Sequence, residues 1–186
     1  MKEQTEELCK LAVQQNGLAL RYVKEQTEEI CKLAVQQNGD ALQYVKNQNA
    51  ELCKLAIKQN EFSLKYVKNQ TEEICKLAIK QRLSALSFVK NQTAEICKFA
   101  IRRSSYALKY VENQTEELCK LAVQQDGDAL RYVKIEQTEE ICKLAVQQNP
   151  KAVEYIKNKN KLLCELLVPQ IKKNMDDHID KKMKTK

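Results

Sequence analysis

Apolar and polar positions recur along this chain in blocks of fixed length. In the stretch 26–47, QTEEICKLAVQQNGDALQYVKN, Ile30, Cys31, Ala34 and Val35 fall at i, i+1, i+4 and i+5, with Leu33 beside them. That spacing lays one broad apolar stripe along an α-helix, with Lys32, Gln36 and Gln37 largely outside it. Asn38-Gly39 predicts the end of that helix, because Gly or Asn takes a left-handed C-terminal position cheaply. A second, shorter helix is expected from near Asp40, with Ala41, Leu42, Tyr44 and Val45 on one apolar face, running out near Lys46. The unit reads as a helical hairpin, its helices about 11 and about 7 residues long, or roughly 16 and 10 Å. Helices this short are marginal alone in water, so each must bury its stripe against a neighbour.

The block repeats. Cysteines stand at Cys9, Cys31, Cys53, Cys75, Cys97, Cys119, Cys142 and Cys164, at spacings of 22 residues broken by a single 23. The extra residue lies near Ile135, between one unit's second helix and the next unit's first. A fixed period in the twenties marks a solenoid. The expected fold is all-α: about seven 22-residue helix-turn-helix repeats over 1–157, a C-terminal capping helix over 158–180, and a basic tail at 181–186. Lys161 to Val168 reads as a degenerate first helix that Pro169 breaks or kinks.

Helix starts have their own chemistry. Thr27 offers a capping hydroxyl, and Glu28 and Glu29 place negative charge at the positive end of the helix dipole. Units beginning at Asn69 or Asn113 also permit a frame two residues earlier, Asn-x-x-Glu, which has the form of a capping box. One aromatic position recurs in every second helix: Tyr22, Tyr44, Tyr66, Phe88, Tyr110, Tyr132 and Tyr155. It reads as a core position before it reads as a base-stacking platform.

The pattern A-V-x-x-N-G-x-A-L-x-Y-V, at Ala12 to Val23 and Ala34 to Val45, resembles the DUF4116-type repeats abundant in giant viruses of amoebae. The resemblance runs to about Ile156 and rests on structural residues. It implies no catalytic or cofactor residues, and it implies a viral protein in the host cytoplasm or the virion. The chain departs from the motif's Gly at Glu61, Leu83, Ser105 and Pro150. Pro150 suits the first turn of a helix, whereas the turns at Glu61 and Leu83 are expected to close differently.

Composition narrows function by exclusion. The closest cysteines are 22 residues apart and the one histidine, His178, lies near the C-terminus, which fits neither a zinc motif nor a small disulfide framework. Each cysteine is expected as a small buried core residue in a reducing, cytoplasmic setting. No apolar run approaches the roughly 18 residues of a membrane span, so no membrane role is expected. No nucleophile–base pair, phosphate loop or paired-carboxylate signature is present, so neither an enzyme nor a cofactor is expected.

Charge supplies the one departure from uniformity. Residues 54–109 hold twelve Lys/Arg against four Asp/Glu, while 1–53 hold six against eight. The position five after Cys is Gln14, Gln36, Gln124 and Gln147 in outer units but Lys58, Lys80 and Arg102 in the central three. With Lys54, Lys76 and Lys98 one helical turn earlier, these form an expected two-column ladder, edged by Arg82 and Arg103. The leading reading is a protein–protein interaction scaffold that docks an acidic protein surface there. The alternatives are non-specific nucleic-acid or polyanion binding through the same ladder, and self-association as a homodimer through the N-terminal end.

Overall fold

The computed structural model describes residues 4–158. The capping region lies outside these residues from 159 onward, as do the basic tail, Cys164, Pro169 and His178. The described chain is all-helical, and the repeats alternate an α-helix with a 3-10 helix. The α-helices are α1 (Glu6–Gln15), α2 (Glu28–Gln37), α3 (Ala50–Gln59), α4 (Glu72–Gln81), α5 (Ala94–Arg103), α6 (Glu116–Gln125) and α7 (Glu139–Gln148). The 3-10 helices are η1 (Gly17–Tyr22), η2 (Gly39–Tyr44), η3 (Glu61–Tyr66), η4 (Leu83–Phe88), η5 (Ser105–Tyr110), η6 (Gly127–Tyr132) and η7 (Pro150–Tyr155). Two compact units divide the chain, Met1–Asn113 with α1 to η5 and Gln114–Lys186 with α6 to η7. In each unit, successive α-helices lie side by side, and so do successive 3-10 helices.

Each α-helix begins in the Thr frame. Thr5, Thr27, Thr71, Thr93, Thr115 and Thr138 are the N-caps, with Asn49 in the third repeat. The Thr27 hydroxyl accepts from the Ile30 N–H at 3.4 Å, satisfying a first-turn donor the helix leaves open. Ile30, Cys31, Ala34 and Val35 are buried, the stripe the spacing predicts.

The end of the helix differs from expectation. No described residue other than glycine has positive φ, and neither does any glycine. Asn38 is extended, at φ −149° and ψ 114°, and it serves two helices at once. Its N–H donates to the Ala34 carbonyl at 2.9 Å, and its side-chain oxygen accepts from the Asp40 N–H at 2.9 Å. The second helix is a six-residue 3-10 helix, not a seven-residue α-helix. A three-residue turn stacks residues at i and i+3. That puts Leu42 above Val45, both buried, and Ala41 above Tyr44.

Glycine is there for closeness. A Cβ on Gly39 would lie 2.6 Å from the Ala56 carbonyl of the next repeat, and one on Gly17 would lie 2.3 Å from that of Ala34. The Gly39 N–H meets the Gln59 side-chain oxygen at 2.7 Å. Repeats without Gly keep the same backbone: Arg82, before Leu83, sits at φ −150° and ψ 126°, and η3 and η4 keep their six-residue length. The turns at Glu61 and Leu83 therefore close like the others. What changes is the fit to the next repeat, with η3 and η4 lying less closely against the following α-helix, and the side chains, with Arg82 giving up the cap and pairing with Glu61 of the preceding repeat at 2.6 Å. Pro150 takes the first position of η7, as expected.

A glutamine before each cap ties the repeats together. Gln70 donates from Nε2 to the Leu64 and Phe88 carbonyls at 2.8 and 2.9 Å and accepts from the Lys90 N–H at 2.8 Å. Gln26, Gln48 and Gln92 make the same three bonds. In the second unit, the residue inserted near Ile135 lengthens the path from η6 to Gln137, yet Gln137 still reaches the Leu130 and Tyr155 carbonyls.

Candidate functional site

The eight candidate cations lie on and just beyond α3, α4 and α5, within the first unit. The structure separates them into two columns with different employment. Lys54, Lys76 and Lys98, each directly after a buried Cys, are half-buried. Lys54 reaches the second glutamate of the next repeat, Glu73, at 2.7 Å. Lys10 does the same to Glu29 at 2.7 Å and Lys32 to Glu51 at 3.5 Å. Lys76 pairs with Glu72 on its own helix and lies 5.4 Å from the centre of the Phe99 ring. Lys98 also has an interaction partner. The first column thus joins repeat to repeat. Hydrogen bonds donated to Glu29 and then Glu6 hold the Lys10 ammonium well above the usual lysine range, and those to Glu140 and then Glu116 raise Lys120 in the same way.

The second column faces outward. Lys58, Lys80 and Arg102 are exposed, as are Arg82 and Arg103. Two hydrogen bonds fix the register of this column across three helices. The Gln81 amide donates to the Lys58 carbonyl at 3.3 Å, and the Arg103 guanidinium donates to the Lys80 carbonyl at 3.1 Å. Lys58, Lys80 and Arg102 therefore stand at matching heights on adjacent helices. They also sit in the last turn, where the negative end of each helix dipole favours a cation. Of the edge residues, Arg82 is engaged by Glu61 and lies 5.5 Å from the Phe62 ring centre.

Other groups bear on chemistry less. The seven described cysteines are free and buried, and burial pushes the Cys75 and Cys119 thiols up to about 11. Such thiols are poor nucleophiles at neutral pH. Among the described residues no cluster of His, Cys, Asp or Glu could hold a metal, and no helix is long and apolar enough to cross a membrane. A cavity of about 470 Å³ lies at the loop edge between the second and third repeats, lined by Lys24, Gln26, Cys31, Lys46, Gln48 and Leu52.

Sequence reasoning placed the recurrent aromatic in the core, but Tyr44, Tyr66, Phe88, Tyr110, Tyr132 and Tyr155 are only half-buried. Several carry a cation on the ring: Lys65 lies 4.6 Å from the Tyr66 centre and Arg131 4.2 Å from that of Tyr155. The glutamine row was missed altogether, although Gln4, Gln26, Gln48, Gln70, Gln92, Gln114 and Gln137 recur without exception. Its signal was that invariance from copy to copy at a polar position. On the first repeat, Leu8, Leu11 and Tyr22 are 56%, 58% and 65% exposed, whereas Ile30 and Leu52, at the place of Leu8 in later repeats, are buried.

No curated protein and no solved structure matches the chain. The stretch 50–114, outside the family match, contains Lys58, Lys80 and Arg102 together with Glu61, Leu83 and Ser105 in place of glycine. On either side of it, the family model described as Domain of unknown function (DUF4116) matches residues 5–49 and 115–161, which supports assigning the chain to these repeats.

Proposed function

We propose that the protein is a non-enzymatic scaffold whose repeats carry an acidic protein partner on the outward column Lys58, Lys80 and Arg102. The observation behind this reading is the exposed row itself: three cations in register on adjacent helices, at a position that is glutamine in the outer repeats. Lys54 and Lys76 have acidic partners within the fold, whereas the side chains of Lys58, Lys80 and Arg102 stand exposed in their row. The resemblance to repeats of giant viruses extends the proposal to the host cytoplasm or the virion.

The test is a capture experiment on the full chain, with and without nuclease, comparing native protein with a Lys58→Gln/Lys80→Gln/Arg102→Gln variant. Glutamine is the residue of the outer repeats, so the variant folds. A protein retained after nuclease and lost with the variant supports the scaffold. Loss on nuclease treatment, with steep salt dependence, supports polyanion binding instead. Equal capture by both chains removes the row from the function.

A second reading rests on the first repeat. Leu8, Leu11 and Tyr22 form an apolar face whose counterparts in later repeats are buried or half-buried, which favours a homodimer through that end. Light scattering over a range of concentrations tests it. A Leu8→Glu/Leu11→Glu chain is expected to stay monomeric where the native chain does not, and a native chain that is monomeric throughout sinks this reading.

A further inference from the structure

Charge alone says that the outward column takes anions, and its spacing says in what form. Resting on the scaffold reading, we infer that the column recognises an acidic segment in the polyproline II conformation, with an Asp or Glu at every third residue. Lys58, Lys80 and Arg102 are held at matching heights by the Gln81 and Arg103 hydrogen bonds, so their spacing is the spacing of packed helices. That distance is about 8–10 Å. A polyproline II chain turns once every three residues and rises about 9 Å in doing so. Its residues i, i+3 and i+6 therefore share one side and meet three successive cations.

Other linear partners fit less well. A β-strand advances about 10 Å in three residues, but it points residues i and i+3 to opposite faces. An α-helix returns to the same face only after seven residues, about 10.5 Å, so it needs about 15 residues already folded to place three acids, a length that is marginal alone in water. Along one strand of duplex DNA, charges follow at about 3.4 Å of axis, so most phosphates would meet no cation of this row. Gln14 and Gln36 carry no charge at the same position in the first two repeats, which limits the recognised acids to three in this unit.

The experiment is fluorescence anisotropy on the full chain at low ionic strength, where exposed charges are least screened. Two labelled, end-capped nine-residue peptides of one composition serve as probes: Asp-Pro-Pro repeated three times, and three Asp followed by six Pro. Oligothymidylate is the third probe. The periodic peptide is expected to bind about fivefold more tightly than the block peptide, and to lose that advantage in the Lys58→Gln/Lys80→Gln/Arg102→Gln chain. Equal binding of both peptides, lost in the variant, overturns the conformational inference and leaves the acidic-partner reading standing. Peptide binding that ignores the variant, or no peptide binding at all, overturns both. Oligothymidylate bound more tightly than either peptide, and released by the variant, replaces the acidic segment with nucleic acid.

Discussion

The side chain of Gln92 shows how much of this protein rests on single residues. Its amide donates to the Leu86 and Tyr110 carbonyls and its oxygen accepts from the Glu112 N–H, so one side chain closes three backbone groups. Gln92→Ala removes all three bonds and is expected to cost about 1–3 kcal/mol, measured as a lower urea midpoint. Gly39 is sensitive for a different reason. Its missing Cβ would meet backbone, the Ala56 carbonyl at 2.6 Å, which has no rotamer to change. Gly39→Ala is expected to destabilise by about 1–3 kcal/mol in the same measurement. The thiols set a pH limit. Unfolded cysteines ionise near their ordinary value of 9.0, whereas burial holds Cys75 and Cys119 protonated to about 11. Proton loss therefore favours the unfolded chain as pH rises between those values. Stability is expected to be unaffected by these thiols below about pH 9 and to fall toward pH 11. A Cys75→Ala/Cys119→Ala chain should show a shallower fall in its unfolding midpoint.

At the scale of the element, the α-helices were readable in the sequence and the 3-10 helices were not. Ile30, Cys31, Ala34 and Val35 have a spacing that only an α-helix turns into one stripe, and they are buried. Ala41, Leu42, Tyr44 and Val45 span five residues, too few to separate a period of 3 from one of 3.6. Gly39 misled because glycine serves two ends, positive φ and close approach, and the second requires knowing the neighbour. The same limit hid the work of Lys54, whose partner Glu73 is 19 residues away. The cap frame was ambiguous between Asn69 and Thr71 until the Thr71 hydroxyl was seen to accept from the Ile74 N–H. Thr71→Ala is expected to cost about 1 kcal/mol, read from the thermal midpoint, and the matching Asn69→Ala much less.

Across the whole molecule, the bonds that join repeats connect residues about 18 to 24 positions apart. Contacts this local close small loops, and chains built from them fold fast. Refolding followed by far-ultraviolet circular dichroism is expected to finish within milliseconds. The frame that makes this possible is nearly independent of what the surface displays. The glutamine row binds backbone carbonyls and N–H groups, which every residue type possesses. The outward residue five after each cysteine is exposed, and the chain already carries Gln, Lys and Arg there. In the genetic code, a glutamine codon becomes a lysine or an arginine codon by one base change. Gln14, Gln36, Gln124 and Gln147 are therefore each a single mutation from extending the charged row, so a lineage bearing this frame can rewrite its recognition one repeat at a time without passing through an unfolded intermediate.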